Sequence, residues 1–91
     1  MSKLPLTIEM ADTIRELRLQ NKIASKDITL ALGRSPSYIS KIESGYIKSI
    51  SEEEFDIILS MILPECTSAQ ERLDKLIEYQ VKRYGFDSRE D

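Results

Sequence analysis

The stretch from Gly33 to Gly45 constrains the fold more than any other part of the chain, because both ends of a short helix are written into it. Ser35 is a capping residue, Pro36 suits the first helical position, and Gly45 suits the left-handed backbone that follows a helix end. Between them, Ile39 and Ile42 are the only aliphatic side chains, and they stand three residues apart. One narrow stripe therefore goes to a core, and the rest of the helix surface stays polar.

The remaining periodic segments are helical as well. Thr7 opens a first helix, expected over Thr7 to Asn21, in which Met10, Ile14 and Leu17 fall at helical spacing among Arg15, Glu16, Arg18 and Gln20. A second, only two turns long, begins at a capping Ser25 and closes at Gly33. Ser51-Glu52-Glu53-Glu54 reads as a capping box, in which the serine oxygen takes the amide of residue 54 and the glutamate reaches back. The helix it starts is densely apolar (Phe55, Ile57, Ile58, Leu59, Met61, Ile62, Leu63) and stops at Pro64, which has no amide to donate. Ser68-Ala69-Gln70-Glu71 repeats the box and opens a fifth helix carrying Leu73, Leu76, Ile77, Val81 and Tyr84 before Gly85; the tail from Phe86 to Asp91 is expected to fray. No alternating run bounded by turn residues argues for a strand, and there is no repeat. The expectation is an all-α, five-helix compact domain. Residues 1–64 form its main body and residues 65–91 a C-terminal helix.

Composition removes several classes of function. With 91 residues, the chain has room for one core. No run approaches the roughly 18 apolar residues of a membrane span, and the start MSKLPLTIEM has no secretory pattern, so a cytoplasmic protein is expected. Cys66 stands alone and cannot form an internal disulfide. Histidine is absent, which removes the commonest general base and metal ligand. The carboxylates lie on helix faces among lysines and arginines, with no glycine-rich phosphate loop near them. No enzyme, no metal, no cofactor and no small-molecule ligand is expected. The net charge of −3 is segregated: residues 1–50 carry eight Lys/Arg against five Asp/Glu, and residues 51–91 five against eleven. The first part offers a mildly basic face, and the second is acidic.

A two-turn helix, a glycine turn and a short helix with a thin apolar stripe make a helix-turn-helix, whose second helix can enter a major groove. The residues Ile28, Leu32 and Gly33, then Ser37-Tyr38-Ile39-Ser40-Lys41-Ile42-Glu43-Ser44-Gly45, resemble the signature of Xre/Cro/C1-repressor-type transcription regulators, whose fold is the lambda-repressor-like DNA-binding one. Ile14-Arg15-Glu16-Leu17-Arg18 is similar to the end of that family's first helix.

The resemblance implies roles for particular residues. Arg18 and Glu43 correspond to a structural ion pair that braces the first helix against the third, and Ile28, Leu32, Ile39, Ile42, Phe55 and Leu59 to core positions. Ser37, Tyr38 and Lys41 correspond to groove-facing positions that contact bases: lysine favours the guanine edge, and tyrosine can touch a thymine methyl. Phosphate contacts fall to Ser25, Lys26, Arg34, Ser35, Ser40, Ser44, Tyr46 and Lys48. The chain departs from the family at Ser25, where many members have a glutamine, at Thr29, where alanine is usual, and at Pro36, which offers no hydrogen bond at the first groove-facing position.

Double-stranded DNA is the expected partner. The apolar face of the fifth helix (Leu73, Leu76, Ile77, Val81, Tyr84) exceeds what so small a core readily encloses, and a homodimer built on it would let two third helices read a palindromic operator. The acidic balance and the missing glutamine favour an alternative, a protein-interaction module such as an antirepressor, with a regulatory protein as its partner.

Overall fold

In the computed structural model, which describes residues 3–85, the chain runs β1 (Lys3–Pro5), α1 (Ile8–Gln20), α2 (Ser25–Leu32), α3 (Tyr38–Glu43), β2 (Ser49–Ser51), α4 (Glu52–Ile62) and α5 (Ala69–Tyr84). The tail expected to fray lies outside the described residues. Three helices start on side-chain caps. Thr7 Oγ1 accepts from the Met10 amide at 3.0 Å, Ser51 Oγ from that of Glu54 at 3.1 Å, and Ser68 Oγ from that of Glu71 at 3.1 Å. Each takes up an amide that has no partner inside the helix, an effect of about 1 kcal/mol.

The other two helices start differently from the sequence expectation. Ala24 occupies the cap position of α2, and Ser25 is its first helical residue. α3 begins at Tyr38, so Ser35 and Pro36 belong to the turn before it, which closes through the Tyr38 amide on the Ser35 carbonyl at 3.0 Å. The fixed φ of proline serves that turn as well as it serves a helix start. Both capping boxes are half-formed. The Glu54 carboxylate turns away to Arg34 and Tyr38, and that of Glu71 accepts from the amide and hydroxyl of Thr67.

Two short strands were not legible. β1 and β2 pair antiparallel, with Leu4 opposite Ile50, and the Leu6 amide extends the pairing to the Lys48 carbonyl at 2.8 Å. Three residues per strand are too few to show an alternation, and the partners lie far apart in the chain. The pairing carries the N-terminal segment over to the start of α4.

α4 is the central element, packed against α1, α2, α5 and both strands. Its Phe55, Ile58, Leu59 and Ile62 meet Ile14 and Leu17 of α1, Ile28 of α2, Ile39 and Ile42 of α3, Ile50 of β2 and Leu76 of α5. Burying each such side chain contributes about 1.5–3 kcal/mol. The six residues of α3 would not be helical alone, so its two isoleucines hold it. Thr29 is buried, and its hydroxyl donates to the Lys26 carbonyl at 2.9 Å, which answers the extra polar group. Asn21 joins the ends of α1 and α4 by donating to the carbonyls of Leu17 (3.0 Å) and Ile62 (2.8 Å).

α5 lies on α1 and α4 of its own chain. Leu76 is fully buried there, and the Tyr84 hydroxyl donates to Asp12 Oδ2 at 2.7 Å, so these two of the five residues expected at a dimer interface are committed within the chain. Ile77 and Val81 are half-buried, and Leu73 is 41% exposed. Arg83 adds an ion pair to Asp12 at 2.8 Å, and Arg72 one to Asp56 at 2.8 Å.

Candidate nucleic-acid interface

The interface starts from how the chain leaves α2. Gly33 takes φ +68°, a left-handed conformation that a side chain disfavours, and the next amide, of Arg34, returns to the Thr29 carbonyl at 3.0 Å. Residues 34–37 then turn the chain into α3. At its far end Gly45 takes φ +84°, and the amides of Tyr46 and Ile47 both return to the Lys41 carbonyl. Two left-handed glycines thus bracket a helix of under two turns.

Its inner side is fixed by Ile39 and Ile42 and by a fork. Arg18 Nε donates to Glu43 Oε2 at 2.7 Å and Nη2 to Oε1 at 3.1 Å, while Nη1 donates to the Ile23 carbonyl at 3.0 Å. The side chains are only 13% and 8% exposed, so this paired contact sets the angle between α1 and α3 as well as attracting them. Hydrogen bonding to Glu43 raises the Arg18 pKa further above its already high value.

The outer side is polar. Ser37, Ser40 and Lys41 are exposed, as are Ser44, Tyr46 and Lys48 beyond α3 and Arg34 and Ser35 before it. Lys26 is exposed at the start of α2, and Ser25 beside it is half-buried. The Lys41 ammonium stands 5.7 Å from the centre of the Tyr46 ring, a cation–π distance that couples α3 to the following loop. Ser44 Oγ donates back to the Lys41 carbonyl at 3.3 Å.

Tyr38 departs from the solvated, groove-facing side chain expected of it. It is half-buried against the core, its hydroxyl donates to Glu54 Oε1 at 2.7 Å, and the Arg34 guanidinium lies 4.7 Å over its ring. Arg34 Nε donates to the other oxygen, Glu54 Oε2, at 2.7 Å. Burial, then the bond to Glu54, pushes the Tyr38 pKa up to about 12. Burial disfavours the charged form of Glu54, but the bonds from Arg34 and Tyr38 outweigh it and hold the carboxyl below its ordinary range. By sequence Glu54 is a capping residue and no more; nothing local signals that its carboxylate lies between Arg34 of the turn and Tyr38 of α3.

Among the described residues, no group of three or more cysteine, aspartate or glutamate side chains is placed to hold a metal ion, and no helix is long and apolar enough to cross a membrane. The geometry suits another task. A helix fixed along its buried edge and open along its outer edge, following a glycine turn from a second helix, is how a helix-turn-helix presents side chains to a groove. The chain belongs to the helix-turn-helix family of DNA-binding regulators, which it matches over residues 14–61, just over half its length. No curated protein and no solved structure matches it.

Proposed function

We propose that the protein is a sequence-specific regulator of the Xre/Cro/C1-repressor type that acts as a homodimeric repressor and reads a palindromic operator with α3. The observation that carries this reading is the exposed outer edge of the α3 region, where Ser37 and Lys41 stand clear of the core and where Lys26 at the start of α2 and Lys48 beyond α3 are exposed as well. Lys41 takes a guanine O6/N7 edge and Ser37 an adaptable donor or acceptor. Tyr38, whose hydroxyl proton is already given to Glu54, offers its ring edge to a thymine methyl. Ser25, Lys26, Arg34, Ser35, Ser40, Ser44, Tyr46 and Lys48 meet phosphates and set the register.

One short helix reads few base pairs, and two copies related by a dyad about 34 Å apart read a palindrome on one side of the duplex. Exposed Leu73 borders a groove of about 410 Å³ lined by Leu4, Phe55, Leu59 and Ala69, and this is where a second copy would pack.

Selection of bound sequences from a random duplex pool, followed by anisotropy titrations across salt, tests the proposal. Expected are two-fold symmetric sites and affinity that falls steeply as salt rises. Failure to bind any duplex at low salt would replace this reading with that of a protein-interaction module on the same fold.

A further inference from the structure

Glu54 is a carboxylate among groups assigned to DNA, and its placement has two opposite electrostatic effects. Its two oxygens are both used, one by Arg34 Nε and one by the Tyr38 hydroxyl, each at 2.7 Å. The carboxylate is 15% exposed and the arginine 51% exposed, so the pair stands at the surface with the acid on its inner side. Arg34 Nη1 and Nη2 donate to no group among the described residues.

Attraction to random duplex depends on net charge, because the protein slides at a loose and varying distance comparable to a screening length of about 10 Å. Over that distance, opposite charges 2.7 Å apart cancel, and Arg34 adds almost nothing. A selected site is different. There the contact is close and fixed, and a guanidinium already bonded through Nε to Glu54 and stacked 4.7 Å over Tyr38 has less rotamer freedom left to lose than a free arginine. Its two terminal nitrogens keep their hydrogen-bonding capacity, on a guanidinium held at both its Nε and its face.

Resting on the DNA-binding reading above, we propose that Glu54 is a specificity-determining residue: it neutralises Arg34 towards random DNA while orienting it towards phosphate at a selected site. Discrimination comes from subtracting non-specific affinity as much as from adding specific contacts.

Two variants separate charge from orientation. Glu54→Gln removes the charge but keeps an oxygen for the Tyr38 hydroxyl, and the α4 cap survives because it uses the backbone amide of residue 54. Glu54→Asp keeps the charge but is one methylene too short to span both partners. Anisotropy titrations on selected and random duplexes, with thermal melts as folding controls, should show random-duplex affinity rising about tenfold at 0.05 M salt for Glu54→Gln, with a salt slope steeper by about 0.9. The selected duplex should gain less, so the ratio falls. Glu54→Asp should leave random binding unchanged and weaken selected binding several-fold. An equal gain on both duplexes for Glu54→Gln would reduce Glu54 to simple repulsion and overturn the proposal, as would a Glu54→Asp variant identical to wild type on the selected site. A wild-type protein that binds no duplex overturns the DNA-binding reading itself, a result distinct from either.

Discussion

Arg18 and Glu43 are 25 residues apart in sequence and nearly enclosed in the fold, so each neutralises a charge that would otherwise be stranded. Replacing either by alanine is expected to destabilise the protein by about 1–3 kcal/mol, and the double variant should lose less than the sum. A denaturant double-mutant cycle checks this; strict additivity would mean that the two do not interact. Tyr38 calls for a different experiment. Removing its hydroxyl with Tyr38→Phe should cost about 1 kcal/mol and leave Arg34 still paired with Glu54. Because the folded chain holds this phenol neutral up to a pKa of about 12, against 10.0 ordinarily, its contribution is complete below pH 10 and lost as pH rises through 12. Wild-type stability should therefore decline more steeply than that of Tyr38→Phe across that window, measured by chemical denaturation at successive pH values.

At the level of elements, α3 gives the sharpest prediction. Lys41→Ala should weaken selected-site binding by about 1–3 kcal/mol and leave the melting temperature nearly unchanged, because Lys41 is exposed and the ring it faces, Tyr46, is exposed too. Lys48→Ala should weaken selected and random duplexes alike. If Lys41→Ala binds the selected site as wild type does, α3 is not the reading element. All five helices were legible in the sequence, because caps, apolar periods and terminal glycines are local signals. The start of α3 was legible only to within a few residues, since Ser35 and Ser37 flank Pro36 and either serine fits a cap by type. β1 and β2 were not, because three-residue strands have no readable period. The Arg34–Tyr38–Glu54 cluster also lay beyond the sequence, since residues 16 and 20 positions apart meet only after α4 has packed beside α3.

For the whole molecule, the way α5 packs changes how a dimer is tested. Removing α5 would also remove Leu76 from the core, where Leu76→Ala alone should cost about 2–5 kcal/mol. Leu73→Glu is the cleaner probe: it should leave the fold intact and convert a dimer to a monomer in sedimentation equilibrium. A wild-type monomer at tens of micromolar that also binds DNA as one copy per site would remove the dimer. The attachment of α5 to α1 responds to acid. A hydrogen bond from Tyr84, with the charge and hydrogen bonds of Arg83, lowers the Asp12 pKa below its ordinary 3.8, so this contribution is present above that value and lost as pH falls through the lower folded one.

Asp12 lies in the first helix, and its partners Arg83 and Tyr84 lie 71 and 72 residues later. A ribosome delivers these groups in that order, and at about 5–20 residues per second the stretch from Ile62 to Tyr84 takes roughly one to four seconds to make. During that interval the residues of α1 to α4 have been joined, but the arginine that pairs with Asp12 and Glu16 has not. Birth order therefore separates the two: the residues of the helix-turn-helix are synthesised first, and the clasp that closes α5 onto α1 comes after them.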